Sequence, residues 1–326
     1  MILQKEKSKE EKSKELYSII QTNIPLKDKN WFETGGPAEF FCEPKRAHEF
    51  QIALEFANKN NLEISILGEG ANTLISDEGV KGLVIRPALN SIDLTEENND
   101  SILVSAGSGT SFPNLIDWCL EKNILGLEEF SGIPGTVGGA VFINLHYFQF
   151  LLNHFLVEAT VIEKSSNKIF KVDNSWFNFG YNRSTLQKMD HYLISATFKL
   201  RKATPLEVAF AKGRQQEIIR HRKARYPYKG TCGSFFRNFH DNEVKLVINE
   251  KKVIWVAYYL DKIGVKGQLK FGGASVSHQH ANMIVNDGRA TTSDIVKVAQ
   301  EMQRLVKENF GITPQPECLL LNLKLT

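Results

Sequence analysis

The chain has 326 residues, 42% of them hydrophobic and 24% charged, a balance that suits a globular protein of two or three domains. A net charge of +3 is too small to mark a nucleic-acid binder. The four cysteines, Cys42, Cys119, Cys232 and Cys318, form no Cys-x-x-Cys pair, which argues against a disulfide framework or a structural zinc and for reduced thiols in a cytoplasmic protein.

In chain order, the first residues carry a Lys/Glu run without an apolar core, which reads as a solvated, frayed helix rather than a signal peptide. Residues 38–42 and 64–67 read as strands, and between them Ala47, Phe50, Leu54 and Ala57 recur at helical spacing. Residues 83–86 and 102–106 are further strands. Residues 111–123 suit a helix capped by Ser111, with Pro113 in its first turn and Leu115, Trp118 and Cys119 on one face. The most apolar stretch, 141–157, is interrupted by Asn144, His146, Gln149, Asn153 and His154, unlike the roughly 20 apolar residues of a membrane span. Residues 155–162, 168–172 and 192–200 are β-rich. A basic run over 201–229, opposed only by Glu207 and Glu217, opens after a candidate junction at 203–205. Helices are expected over 253–263, stopped by Gly264, and over 294–309, stopped by Gly311, the latter with Ile295, Val298, Met302, Leu305 and Val306 inward. The expectation is an α+β architecture.

Chemistry concentrates in glycine turns. Residues 131–140 pack four glycines and a proline into ten positions, which lets backbone approach something flat or charged closely. Gly68-Glu69-Gly70-Ala71-Asn72-Thr73 follows a strand and can present consecutive N–H groups to an anion, although a tight strand-to-loop turn accounts for it as well. It is neither a Rossmann fingerprint nor a Walker A loop. A third turn is Gly107-Ser108-Gly109-Thr110. Ser234, in Gly233-Ser234-Phe235-Phe236-Arg237-Asn238, lacks a nucleophile elbow and is either a proton donor or a buried turn serine. Glu317 enters an apolar strand as a lone carboxylate, suited to proton handling or to a strand-end salt bridge. His278 and His280 have no third partner for a metal.

Taken in order, Asn30 through Ala38, Gly68 through Thr73, Gly132 through Ala140, Phe179-Gly180-Tyr181, Gly233 through Asn238, Gly272-Gly273-Ala274, His280-Ala281-Asn282 and Pro316-Glu317 resemble the UDP-N-acetylenolpyruvoylglucosamine reductase family, in its shorter type, from about residue 25 to the C-terminus. The resemblance implies an FAD-binding fold of the vanillyl-alcohol-oxidase (PCMH) type in two subdomains over 20–203, after a charged extension at 1–19. A substrate-binding domain would follow over 204–312, and a C-terminal strand at 313–326 would return to the first domain. It implies NADPH-dependent reduction of UDP-N-acetylglucosamine enolpyruvate in peptidoglycan precursor synthesis, with FAD and NADPH as cofactors. The partner would be a small UDP-sugar, with no nucleic acid and no membrane, and the enzyme a monomer. Ser234, Glu317 and Arg183 would be catalytic. Gly68, Glu69, Gly70, Ala71, Asn72, Thr73, Gly107, Gly132, Ile133, Pro134, Gly135, Thr136, Gly138, Gly139, Ala140 and Asn144 would hold the cofactor, and Tyr181, Arg225, Arg237, Asn238 and His280 would hold substrate.

Two departures qualify the resemblance. The family's Tyr-Arg-x-Ser is Tyr181-Asn182-Arg183-Ser184 here, so the enolate-stabilising arginine is displaced by one residue. In a strand that shift turns the side chain to the other face, unless a bulge restores Arg183 or another cation serves. The family's small residues after Ala140 are replaced by Leu145, His146 and Phe148, while Asn144 is kept. His146 is then either the missing positive charge or a packing residue. These departures leave open another oxidoreductase of the same fold, or a flavin-binding protein without catalysis.

Overall fold

The computed structural model describes residues 17–97 and 101–325, so most of the charged N-terminal extension lies outside the described residues. The described chain divides into two compact units, one of residues 17–23, 40–69 and 82–220, the other of 24–39, 70–81 and 221–325. The division therefore falls within a helix, between Arg220 and His221, rather than at the expected 203–205 junction. Burial explains the difference. Phe32 and Leu74 share an apolar cluster with Phe235, Val256 and Ile295. Val208 and Ala211, beyond the expected junction, are buried with Val104 and Phe112.

The first unit has two layered parts. In one, helix α1 (Ala47–Lys59) buries Phe50, Ala53, Leu54 and Ala57, spaced to share one helical face. They pack with Ile64, Leu83 and Ile85, whose strands pair in parallel with Ile64 opposite Leu83 and Ile66 opposite Ile85. In the other part an antiparallel sheet runs in the order Ile169–Asp173, Leu156–Glu163, His191–Lys202, Ser101–Gly107, Ile92–Glu97. Ala196 faces Ala106 and Phe198 faces Val104 in this sheet. Helix α2 (Phe112–Glu121) covers it with Phe112, Leu115, Ile116, Cys119 and Leu120 buried and Pro113 in its first turn. Ser111 occupies the N-cap position but its side chain makes no capping bond, and Trp118 is only partly buried. Helix α3 (Val137–Phe142) is short and capped by Thr136, whose side chain accepts from the Gly139 N–H. Helix α4 (Pro205–Arg225) carries the basic run.

The second unit packs a three-stranded antiparallel sheet, Lys270–Phe271, Ala274–Val276 and Ile284–Asn286, with two helices. Helix α5 (Val256–Ile263) ends at Gly264, with φ +85°. Helix α6 (Thr292–Phe310) opens on a reciprocal capping box between Thr291 and Asp294 and closes at Gly311, with φ +73°. The last strand, Leu319–Leu321, pairs in parallel with Thr73–Ile75, both inside this unit. Among the described residues no helix is long and apolar enough to cross a membrane.

Candidate active site

The glycine turns of the first unit converge on α3. The Gly135 N–H donates to the Glu69 carboxylate at 3.0 Å, and a Cβ on Gly68 would stand 2.8 Å from Thr136 Oγ1. The two loops thus close on each other only because position 68 is glycine. Gly135, at φ +127°, has no atom within 4 Å of where its Cβ would be, and Gly139 has only Thr136 Oγ1 at 3.6 Å. Both offer open, side-chain-free backbone. The first N–H groups of α3 are engaged: Val137 donates to Thr110 O, Gly138 to Ser108 O, and Gly139 to Thr136 Oγ1. By contrast, the backbone N–H groups of Gly68, Glu69, Gly70, Ala71 and Asn72 donate to nothing among the described residues. Within the second unit, the consecutive donors of Gly70, at φ +66°, Ala71 and Asn72 suit an anionic group such as a pyrophosphate. Within the first unit, the open backbone at Gly135 and Gly139 suits a flat ring, and each of the two features taken by itself is chemically compatible with part of a flavin dinucleotide.

Not every expected cofactor residue faces that space. Gly107 donates its N–H to Ser91 O, and a Cβ on it would lie 2.1 Å from Leu89 O. Its glycine is explained by close packing of residues 89–91. Asn144, buried at φ +50°, has its carboxamide spent within the protein: Nδ2 donates to Gly180 O at 3.1 Å, and Oδ1 accepts from the Asn153 N–H at 3.1 Å. Ile133 and Pro134 are half-buried, and Ala140 is buried on α3.

The displaced arginine lies in a turn, not a strand. Gly180 and Arg183 exchange backbone hydrogen bonds of 3.0 and 3.2 Å around Tyr181 and Asn182, and Asn182 is left-handed at φ +51°. Asparagine tolerates that conformation better than arginine does. Both polar atoms of the Asn182 side chain are buried without a partner, so it presents no donor outward. Arg183 is exposed and folds back over its pair mate, with Nε, Nη2 and Cζ at 3.1, 3.2 and 3.3 Å from where a Gly180 Cβ would stand.

The bulky residues after Asn144 form a small hairpin, with Tyr147 opposite Phe150 and His146 opposite Leu151. Leu145 is buried in the core of its unit, Phe148 is 68% exposed at the tip, and His146 packs on Tyr181 with ring centroids 4.9 Å apart. Burial holds the His146 pKa below its usual value, which disfavours the charged ring that a substitute cation would need.

In the second unit, residues 234–238 run beside 315–317. Phe236 bridges Pro316, the Glu317 N–H donates to Phe235 O at 2.8 Å, and the Arg237 N–H donates to Gln315 O at 3.0 Å. Glu317 thus pairs with Phe235, the residue that follows Ser234. Glu317 is half-buried as a residue, but burial of its carboxyl pushes the pKa up to about 7. The Arg237 guanidinium grips Glu243 through two bonds of 2.8 Å and also donates to Asn238 O at 2.9 Å, so this arginine is held by its own loop. Asn238 is half-buried beside it.

His280 packs edge-on to Tyr226 at 5.5 Å, and the guanidinium groups of Arg222 and Arg225 lie over the same ring at 5.2 and 5.5 Å. Burial first, then the nearby Arg225 and Lys266, push the His280 pKa down to about 4. The ring is neutral at pH 7, and its Nδ1 accepts from the Asn282 N–H at 3.3 Å.

Sequence reasoning did not single out Asn282 as a site residue. It is buried, donates Nδ2 to Phe236 O at 2.7 Å, accepts from the Phe236 N–H at 3.1 Å, and receives the Phe235 N–H on its own carbonyl at 2.8 Å. This amide clamp fixes the backbone that carries Ser234. Its only signal in the sequence was its place in the His280-Ala281-Asn282 motif.

The chain matches the family model "UDP-N-acetylenolpyruvoylglucosamine reductase, C-terminal domain" over residues 225–321 and the model "FAD binding domain" over 38–171. Proteins named UDP-N-acetylenolpyruvoylglucosamine reductase are among its relatives. One from Protochlamydia amoebophila is 34% identical over 91% of this chain and 92% of the relative. One from Lactobacillus delbrueckii is 33% identical over 93% of this chain and 95% of the relative. The crystal structure of the reductase from Thermus caldophilus superposes with a TM-score of 0.73 at 27% identity, covering 91% of this chain and 97% of that one.

Proposed function

Because this chain belongs to the UDP-N-acetylenolpyruvoylglucosamine reductase family, we infer how its residues divide the work of that reaction. The protein is an FAD-dependent oxidoreductase that uses NADPH to reduce UDP-N-acetylglucosamine enolpyruvate in peptidoglycan precursor synthesis. Bound FAD supplies a two-electron carrier that takes hydride from NADPH and gives it to the enolpyruvyl double bond.

The N–H groups of residues 70–72 would hold the pyrophosphate of the cofactor, and the bare backbone at Gly135 and Gly139 would accommodate its ring system. Hydride arrival at the vinyl carbon leaves negative charge on the neighbouring carbon and its carboxylate. A cation or donor aimed at that charge lowers the barrier. Arg183 is the group of the Gly180–Arg183 turn that offers this, since Asn182 is covered and burial disfavours charge on His146. The Ser234 hydroxyl then donates a proton to the carbon. Glu317, its carboxyl pushed up to about 7 by burial and its backbone bonded to Phe235, serves this step as a carboxyl still partly protonated at neutral pH. The Arg225–Tyr226–His280 group offers cationic and aromatic surface for the nucleotide diphosphate. Four buried free cysteines support a cytoplasmic location, and the enzyme is read as a monomer acting on a free sugar nucleotide.

The observation that carries the assignment is the pairing of Ser234's loop with Glu317. Its test is anaerobic. Ser234→Ala should bleach with NADPH as the unaltered protein does, and regain its flavin absorbance on adding the enolpyruvyl sugar nucleotide at least roughly 100-fold more slowly. Unchanged recovery would remove Ser234 from the proton step.

A further inference from the structure

We propose that Asn144 and Gly180 are positioning residues for Arg183, which together let an arginine one place late in the chain serve the reaction; this rests on the role assigned to Arg183 above. Asn144 leaves α3 in the left-handed region, where asparagine is tolerated, and spends its Nδ2 on the carbonyl of Gly180. Gly180 is the residue whose backbone pairs with Arg183. A second stitch joins the same two segments: Ser184 Oγ donates to Phe142 O at 2.7 Å, and Gln187 Nε2 donates to Phe142 O at 3.3 Å and to Asn182 O at 2.8 Å. The turn is therefore tied to the end of the helix that carries Gly138, Gly139 and Ala140.

Within the turn, side chains of directly paired residues share one face. Gly180 has none, and the Arg183 guanidinium occupies the space thus left. An alanine at position 180 would stand 3.1–3.3 Å from Nε, Nη2 and Cζ, so the guanidinium would have to shift to make room for it. Its backbone does not need positive φ, so the alanine would displace the guanidinium without straining the chain. Asn144 is thereby reassigned from a cofactor contact to an anchor of the arginine.

Two variants test this, Asn144→Asp and Gly180→Ala. The aspartate keeps the tolerance of left-handed backbone and the acceptor for Asn153 but loses the donor to Gly180. Each should slow the return of flavin absorbance by the enolpyruvyl sugar nucleotide by several-fold, up to the roughly 100-fold that a full 1 Å misplacement of a catalytic group costs. Neither should slow that step further when combined with Arg183→Gln, because all three act through one guanidinium. In nitrogen-15-labelled protein the Arg183 Nε–H signal, assigned by its loss in Arg183→Gln, should shift in both variants. An unmoved signal in both overturns the proposal, as does full additivity with Arg183→Gln. Weakened FAD binding in Asn144→Asp, with unchanged recovery per bound flavin, also overturns it by returning Asn144 to the cofactor. A shifted signal together with a fully active Arg183→Gln keeps the positioning claim and overturns only the catalytic role of Arg183.

Discussion

Substituting Glu317 by glutamine keeps the size and hydrogen-bonding shape of the side chain but removes its proton. In the fold, burial raises this carboxyl from an ordinary 4.5 to about 7. Below about pH 4.5 both folded and unfolded chains hold the proton and the group costs nothing. Between 4.5 and 7 the unfolded chain has released it while the folded chain retains it, so stability falls as pH rises. Above about 7 the folded protein must hold a buried carboxylate, and the loss is complete. Carrying one carboxyl over that interval corresponds to about 3 kcal/mol. Glu317→Gln should therefore match the unaltered protein near pH 4 and exceed its stability by up to about 3 kcal/mol near pH 8.

The assay is urea unfolding at a series of fixed pH values, following the fluorescence of Trp31 and Trp255, which belong to the same unit as Glu317. The quantity to plot is the difference in unfolding free energy between the two proteins. A difference that stays flat from about pH 5 to 8 would refute the reasoning, because the carboxyl would then titrate at its ordinary value inside the fold. The same titration should appear in catalysis. If Glu317 works protonated, recovery of flavin absorbance declines as pH rises through about 7, and that decline is absent from the glutamine variant.

Asn282→Ala leaves the buried N–H and C=O of Phe236 without their side-chain partners and should lower stability by roughly 2–5 kcal/mol, read from the urea midpoint. A loss under about 0.5 kcal/mol would mean that Phe236 finds other partners. The thiols of Cys42 and Cys119 are buried, with pKa values pushed up to about 12 chiefly by burial. They should ignore a thiol reagent at pH 8 until urea is added, and rapid labelling of the native protein would contradict that burial.

Much of the fold was legible because local signals agreed with one another. The faces of α1 and α6, and the glycines that end α5 and α6, follow from 3.6-residue periodicity and from the conformational freedom of Gly264 and Gly311. The division into units was not legible. Residues 24–39 and 70–81 join the second unit because Phe32 and Leu74 are buried in its core, and an apolar residue in a short segment does not announce which core receives it. The role of Gly107 was hidden for a similar reason. A ligand loop and a site of close backbone approach both call for glycine, and only the carbonyl of Leu89 at 2.1 Å from the missing Cβ tells them apart. The Asn282 clamp left no periodic signature, since a buried carboxamide replaces ladder bonds that strands normally supply from backbone.

The displaced arginine shows why position counting alone does not fix the direction of a side chain. Moving a side chain by one residue reverses its face only while the chain is a strand. Around a two-residue turn the rule changes, because residues on either side of the turn pair across it and share a face. Arg183 is the partner of Gly180, so its direction is set by that pairing and by the absence of a side chain opposite. Arginine at position 182 would have to adopt the left-handed backbone that Asn182 takes at φ +51°, at a cost of roughly 1 kcal/mol or more. With the turn in this form, asparagine at 182 and arginine at 183 are one mutually consistent choice. Exchanging the two residues would place each in the conformation that suits the other.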